Sequence, residues 1–186
     1  MSFPSRSEAY AILTEHTKGE SLIKHALAVE GAMRFYAARA GEDAEKWAVA
    51  GLLHDFDYEQ YPSLDDHPFK GAEILRARGI DEELIQTILS HAGHTGVAPD
   101  TPMQRALFAV DELSGFCTAV ALVRPSKKIE DVEPSSVKKK LKDKAFARNI
   151  SRDDIKRGAE LMGISEDEHI ANVLSALKAV APELGL

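Results

Sequence analysis

Ser21–Gly41 reads SLIKHALAVEGAMRFYAARAG. Leu22, Ala26, Val29, Met33 and Tyr36 recur every three or four residues and so lie along one face of a long helix. Gly41 ends it, as glycine commonly ends a helix. Upstream, Ser5-Arg6-Ser7-Glu8 has the form of a capping box, with a helix through Leu13 behind it and a break at Lys18-Gly19-Glu20. Downstream, Glu42–His54 places Trp47, Ala50, Leu53 and His54 on one side of the next helix. Phe56–Asp66, with Pro62 and several acids, reads as loop. Pro68 is predicted as the first residue of a helix through Arg78 that Gly79 stops. Asp81 caps a helix through Leu89 to about His91, and Gly93, Gly96 and Pro99 mark a loop. Pro102 opens a long apolar helix through Val123, which Arg124-Pro125-Ser126 ends. Pro134–Lys144, Ser151–Met162 and Ser165–Ala181 are three further helices, the last behind a second capping box, Ser165-Glu166-Asp167-Glu168. No run alternates with period two, and no repeat is present. The predicted class is all-α, with about eight or nine helices packed as a bundle-like globule.

Composition narrows the function. One cysteine among 186 residues excludes a disulfide framework, a four-cysteine zinc site and a cysteine-ligated iron–sulfur cluster. Any metal must therefore rest mainly on carboxylates and the seven histidines. No apolar run approaches the roughly 20 residues of a membrane span, and no apolar signal core follows Met1–Arg6, so a reduced cytoplasmic setting is expected. The net charge of −7 disfavours general nucleic-acid binding. The acids gather in residues 1–123, while a local basic excess runs from Lys127 to Arg157.

The strongest local feature is Gly51-Leu52-Leu53-His54-Asp55, an apolar helix ending in two adjacent metal-competent side chains. His25 lies close to the apolar face of its helix, His67 opens a helix, and His91 ends one. Asp111 follows Leu107 and Phe108 by one turn and points inward, which is costly unless it is paired or bound to a metal. Each has a plainer reading alone. His25 would be a hydrogen-bonded core histidine, Asp111 a partner of Arg105, His67 a helix-start residue, and His91 with His94 a pair at a helix C-terminus. The ordered set outweighs these separate coincidences.

That set resembles the HD-domain superfamily of metal-dependent phosphohydrolases, in its two-metal, HDIG-like branch. The family pattern is a His, a His-Asp pair and a distant Asp, with two further His inserted in two-metal branches. Here it runs His25, His54-Asp55, His67, His91, Asp111, and the phrases from His67 to Leu75 and from Ala109 to Leu113 also match, over about residues 20–120. The resemblance implies an HD-domain helical bundle with residues 1–124 as its metal-binding core; residues 125–186, whose tail carries no recognisable motif, are expected to pack on that core as a helical extension and close one wall of the cleft. It implies a first metal site of His25, His54, Asp55 and Asp111, with Asp55 bridging to a second ion held by His67 and His91. His94 would ligate or touch the substrate. Lys70, one turn after His67, would face the cleft and bind an anion, the alternative being a solvated helix residue. One or two divalent ions are implied, from among Fe, Mn, Co, Ni, Zn and Mg. Where many relatives follow the pair with Gly-Lys, this chain has Phe56-Asp57-Tyr58-Glu59, and the Gly-Tyr-Pro signature of one branch is absent. His94-Thr95-Gly96 resembles a branch that splits dinucleoside polyphosphates.

The expected reaction is hydrolysis of a phosphoester or phosphoanhydride by a metal-activated water, with Asp55, His94 and Lys70 at the chemistry. The expected substrate is a small phosphorylated metabolite or nucleotide, with nucleic acid disfavoured and no membrane partner. A di-iron oxygenase using nearly the same six ligands and a nucleotide-binding regulatory module without turnover are the alternatives. Oligomeric state is left open. Asp57 and Glu59 would support the ligands, act as a general acid or form loop surface. Lys138-Lys139-Lys140-Leu141-Lys142-Asp143-Lys144, with Arg148 and Arg152, is a solvated face or a basic lip for an anionic substrate. Trp47, Phe35 and Phe108 read as core, Cys117 as a small buried hydrophobe, and His16 and His169 as surface.

Overall fold

The computed structural model describes residues 2–186. Its helices are α1 Arg6–His16, α2 Glu20–Ala40, α3 Ala44–Leu53, α4 Phe69–Ala77, α5 Glu82–Leu89, α6 Pro102–Leu122, α7 Pro134–Leu141, α8 Arg152–Leu161, α9 Glu166–Ala179 and α10 Ala181–Leu184. The class is all-α, as predicted. Among the described residues no strand forms, and Ser2 and Ile80 make one isolated bridge. No described helix is long and apolar enough to cross a membrane.

Local chemistry sets most helix ends. The Ser5 hydroxyl accepts from the Glu8 N–H, and Glu8 accepts from the Ser5 N–H at 2.7 Å. Thr101 and Gln104 make the same reciprocal pair at the head of α6. At α9 only half of the expected box forms. Ser165 accepts from the Glu168 N–H, but the Glu168 carboxylate turns to Arg39 at 3.2 Å. Pro68 occupies the cap of α4 rather than its first turn.

α2 and α6 form the centre of the molecule. A Cβ at Gly51 would stand 2.9 Å from the Val29 carbonyl, so α3 lies on α2 backbone to backbone. Leu52, Leu53 and Phe56 on and just after α3, and Phe116 on α6, are fully buried, each worth about 2–3 kcal/mol in transfer terms. Trp47 and Phe108 are buried too, and Phe35 is half-buried against the same core. α8 approaches α6 equally closely, with Gly158 against Ala109. α9 brings His169 into the core, contrary to the surface position expected of it. His169 is fully buried, donates through Nε2 to the Ala109 carbonyl at 2.8 Å, and accepts from the Tyr36 hydroxyl at 2.6 Å. His16 is half-buried, edge-on to Phe56.

Candidate metal centre

Five elements deliver the six residues of the motif series. His25 comes from the second turn of α2, His54 and Asp55 from the end of α3, His67 from the loop before α4, His91 from just past α5, and Asp111 from the middle of α6. They meet at one point. His25 Nε2 lies 3.0 Å from Asp111 Oδ1 and 3.2 Å from His54 Nε2. His54 Nε2 is 3.4 Å from both Asp55 Oδ2 and Asp111 Oδ1. The other oxygen of Asp55, Oδ1, is 3.2 Å from His67 Nε2 and 3.3 Å from His91 Nε2. Two ligand groups result, His25–His54–Asp55 and Asp55–His67–His91, with ligand atoms within 4.8 Å of one another in each. Asp111 adds to the first group.

The backbone and one buried acid fix the imidazoles. The Nδ1–H of His54 donates to the Gly51 carbonyl at 2.7 Å, and that of His91 to the Ile88 carbonyl. His67 donates through Nδ1 to Asp57 Oδ1 at 2.8 Å, while Asp57 Oδ2 accepts from the Gly71 N–H at 2.8 Å. Each of these three rings therefore presents an Nε2 lone pair to the site. The His54 lone pair faces another imidazole nitrogen and two carboxylate oxygens. Such a set of converging acceptors repels itself unless a proton or a cation lies among them. Ligands about 2.1 Å from an ion and at right angles to one another stand about 3 Å apart, close to the observed spacing. The donor set thus fits a divalent cation.

The electrostatics agree. Burial opposes a charge on His54, yet Asp55 and Asp111 outweigh it and hold the imidazole well above its ordinary value. Burial likewise opposes the charge on Asp111, and His54 and His25 keep its carboxyl well below the usual carboxylate range. Asp55 is lowered in the same way, chiefly by His54. His67, against burial, is raised to about 9 by Asp55 and Asp57.

The centre floors a cavity of about 520 Å³, walled by Phe108, Glu112, Ile150 and Asp154. Sequence reasoning missed the last three. Burial, with Asp111 beside it, pushes Glu112 up to about 7. Ile150 and Asp154 arrive through a clasp. The Arg152 guanidinium lies over the Phe116 ring at 4.9 Å and donates to the carbonyls of Ala147 at 2.6 Å, Ile150 at 2.7 Å and Phe146. Local sequence carries no signal for this. His94 lines the cavity outside both ligand groups, with Nε2 2.9 Å from the His67 carbonyl. Lys70 is not brought to the centre. It is half-buried, and its Nζ pairs with Glu73 at 3.0 Å. Glu59 accepts from the Lys18 and Gly19 N–H groups in the turn before α2. Arg105 donates to the Pro99 and Asp100 carbonyls instead of pairing with Asp111. Cys117 is buried, which pushes its thiol up.

In comparison with known proteins, a family model described as HD domain matches residues 22–115. Ribonuclease Y of Thermosipho melanesiensis is 30% identical over 165 residues, covering 84% of this chain and 30% of that protein. Ribonuclease Y of Thermotoga maritima is 28% identical over 162 residues, with the same two coverages. Ribonuclease Y of Fervidobacterium nodosum is 30% identical over 135 residues, 70% of this chain and 24% of that protein. The chain thus spans less than a third of the length of these relatives. No solved structure matches it. The relatives' name overturns the expectation of a small phosphorylated substrate with nucleic acid disfavoured. Net charge misled because it averages over the molecule. Four acids line the metal cavity, and Glu30 is held between Arg6 and Arg34, while Lys142, Lys144 and Arg148 stay exposed.

Proposed function

The chain belongs to the HD-domain family of metal-dependent phosphohydrolases, and from that premise we propose that it hydrolyses phosphodiester bonds of RNA at a centre of two divalent cations. The observation that carries the reading is Asp55. One of its carboxylate oxygens faces His25 and His54, and the other faces His67 and His91. RNA as the substrate is supported by the relatives named ribonucleases.

His25, His54, Asp55 and Asp111 would hold one ion, and Asp55, His67 and His91 the other. Ions in such a site supply a water acidic enough to act as hydroxide at neutral pH and screen the charge that builds on the phosphoryl oxygens. The chain's own residues set up the rest. Asp57 keeps His67 in the tautomer whose Nε2 is a lone pair. His94, tied through Nε2 to a carbonyl, keeps Nδ1 for exchanging a proton with the substrate. We read residues 125–186 as an extension of the 1–124 core, because α7, α8 and α9 pack on α6 and Ile150 and Asp154 close a wall of the cavity. The test is cleavage of an end-labelled RNA oligonucleotide by the Mn²⁺-loaded chain. Cleavage that Asp55→Ala reduces to background supports the reading. Loaded wild-type protein that leaves the RNA intact, or an Asp55→Ala variant that still cuts it, refutes it.

A further inference from the structure

The segment that joins α3 to α4 carries apolar surface that the metal centre does not use. Among the described residues, three of the six large hydrophobic side chains left exposed are Tyr58, Leu64 and Phe69. Tyr58 and Leu64 belong to that segment, and Phe69 is the first residue of α4. Tyr58 and Leu64 line the metal cavity, yet they are 40% and 70% exposed. The Tyr58 ring stands 5.2 Å from the ring of His67, at 84° to it. Phe69 carries the apolar surface on from His94, with the two ring centres 6.0 Å apart. Exposed hydrophobic side chains scattered singly are ordinary, whereas several gathered beside a cavity mark a binding surface. The backbone fixes Tyr58 in place. Its N–H donates to the Asp55 carbonyl at 3.0 Å, and its neighbour Asp57 is anchored on His67 and Gly71. The ring is therefore held close to the carboxylate that faces both ligand groups.

The rest of the cavity limits what can lie on this surface. α6 and α8 contribute two acids, Glu112 and Asp154, which repel a phosphate. A phosphate is matched only at the cations. Tyr58 and Leu64 carry no charge and suit the uncharged part of a nucleotide. A nucleobase has two flat faces, and every base can stack on an aromatic side chain. We propose that Tyr58, with Leu64, is a stacking platform for the nucleobase next to the phosphate held at Asp55. The position of that phosphate rests on the RNA-hydrolysis reading, and the common cavity links it to the platform.

Binding of AMP and of ribose 5-phosphate to the Mn²⁺-loaded chain, by calorimetry, tests the platform. Stacking of one base on an aromatic ring is worth about 5- to 150-fold in affinity, so AMP is expected to bind at least about fivefold more tightly than ribose 5-phosphate. Tyr58→Ala should remove most of that ratio, and Tyr58→Phe, which keeps the ring, should preserve it. Because the readout is a ratio, any change in metal or phosphate binding common to both ligands cancels. Equal affinities in the wild type, or a ratio that survives Tyr58→Ala, overturn the proposal. So does a wild-type dimer that Tyr58→Ala converts to monomer with the ratio unchanged, since the surface would then be a contact between copies. RNA cleavage is read separately. A base-dependent ratio without cleavage supports the platform and removes the RNA reading, whereas cleavage without such a ratio does the reverse.

Discussion

Replacing Asp57 by Asn tests the arrangement at its least exposed point. Asp57 is fully buried and serves two donors, the Nδ1–H of His67 and the N–H of Gly71, both at 2.8 Å. An amide offers only one oxygen. If that oxygen stays on Gly71, the NH₂ group meets His67 Nδ1, and the ring must carry its proton on Nε2. The Nε2–H then points at Asp55 Oδ1, 3.2 Å away, and the lone pair is lost as a ligand. If the oxygen instead stays on His67, the Gly71 N–H is left facing a donor in the interior, at a cost of about 1–3 kcal/mol. Loss of a carboxylate behind a ligating histidine typically costs 10–100-fold in metal affinity, or about 1.4–2.8 kcal/mol. A two-site Mn²⁺ titration of Asp57→Asn should therefore show the ion beside His67 and His91 weakened about 10–100-fold and the ion beside His25, His54 and Asp111 within a few-fold of wild type. Unchanged affinity at both sites, or a loss confined to the first site, refutes the reasoning.

Three further predictions concern stability. Gly158→Ala sets a Cβ 2.7 Å from the Ala109 Cα and 3.0 Å from its Cβ, so overpacking of about 1–3 kcal/mol should exceed the gain in helix propensity, and a thermal melt should show a lower midpoint. Burial holds His169 below its ordinary value, so the unfolded chain takes up a proton as pH falls through about 6.5 while the folded chain does not. Stability present above that pH is lost below it, and between pH 7.5 and 5.5 the wild-type melting temperature should fall further than that of His169→Gln; equal falls would count against a neutral buried ring. Chelation of resident metal should lower the midpoint too, since a ligand at 100 times its Kd adds about 2.7 kcal/mol, worth roughly 2–4 °C per kcal/mol in a chain of this size.

Features set by neighbouring residues were readable from the sequence. The apolar stripe from Leu22 to Tyr36 and the caps at Ser5, Asp81 and Ser165 are local facts, and helices follow them. The four-residue α10 is too short to show a period. What failed depends on partners far along the chain. Glu168 leaves its cap for Arg39, and His169 is buried by Tyr36 and Ala109. The convergence of His25, His54, Asp55, His67, His91 and Asp111 was legible as an ordered motif, while the oxygen of Asp55 that each group meets was not. Asp57 was visible only as one acid in a loop. Its value lies in a contact across ten residues to His67 and another to the head of α4. The Arg152 clasp that brings Ile150 to the cavity depends on carbonyls, which no side-chain pattern reveals.

The central claim is that Asp55 bridges two cations. Anomalous diffraction at the manganese edge from crystals of the Mn²⁺-loaded chain tests it most directly. Two peaks about 3.5–4 Å apart, one on the His25, His54 and Asp111 side of Asp55 and one on the His67 and His91 side, are the predicted result. No peak at the cluster, or a single ion with Asp55 engaged through only one oxygen, would contradict it.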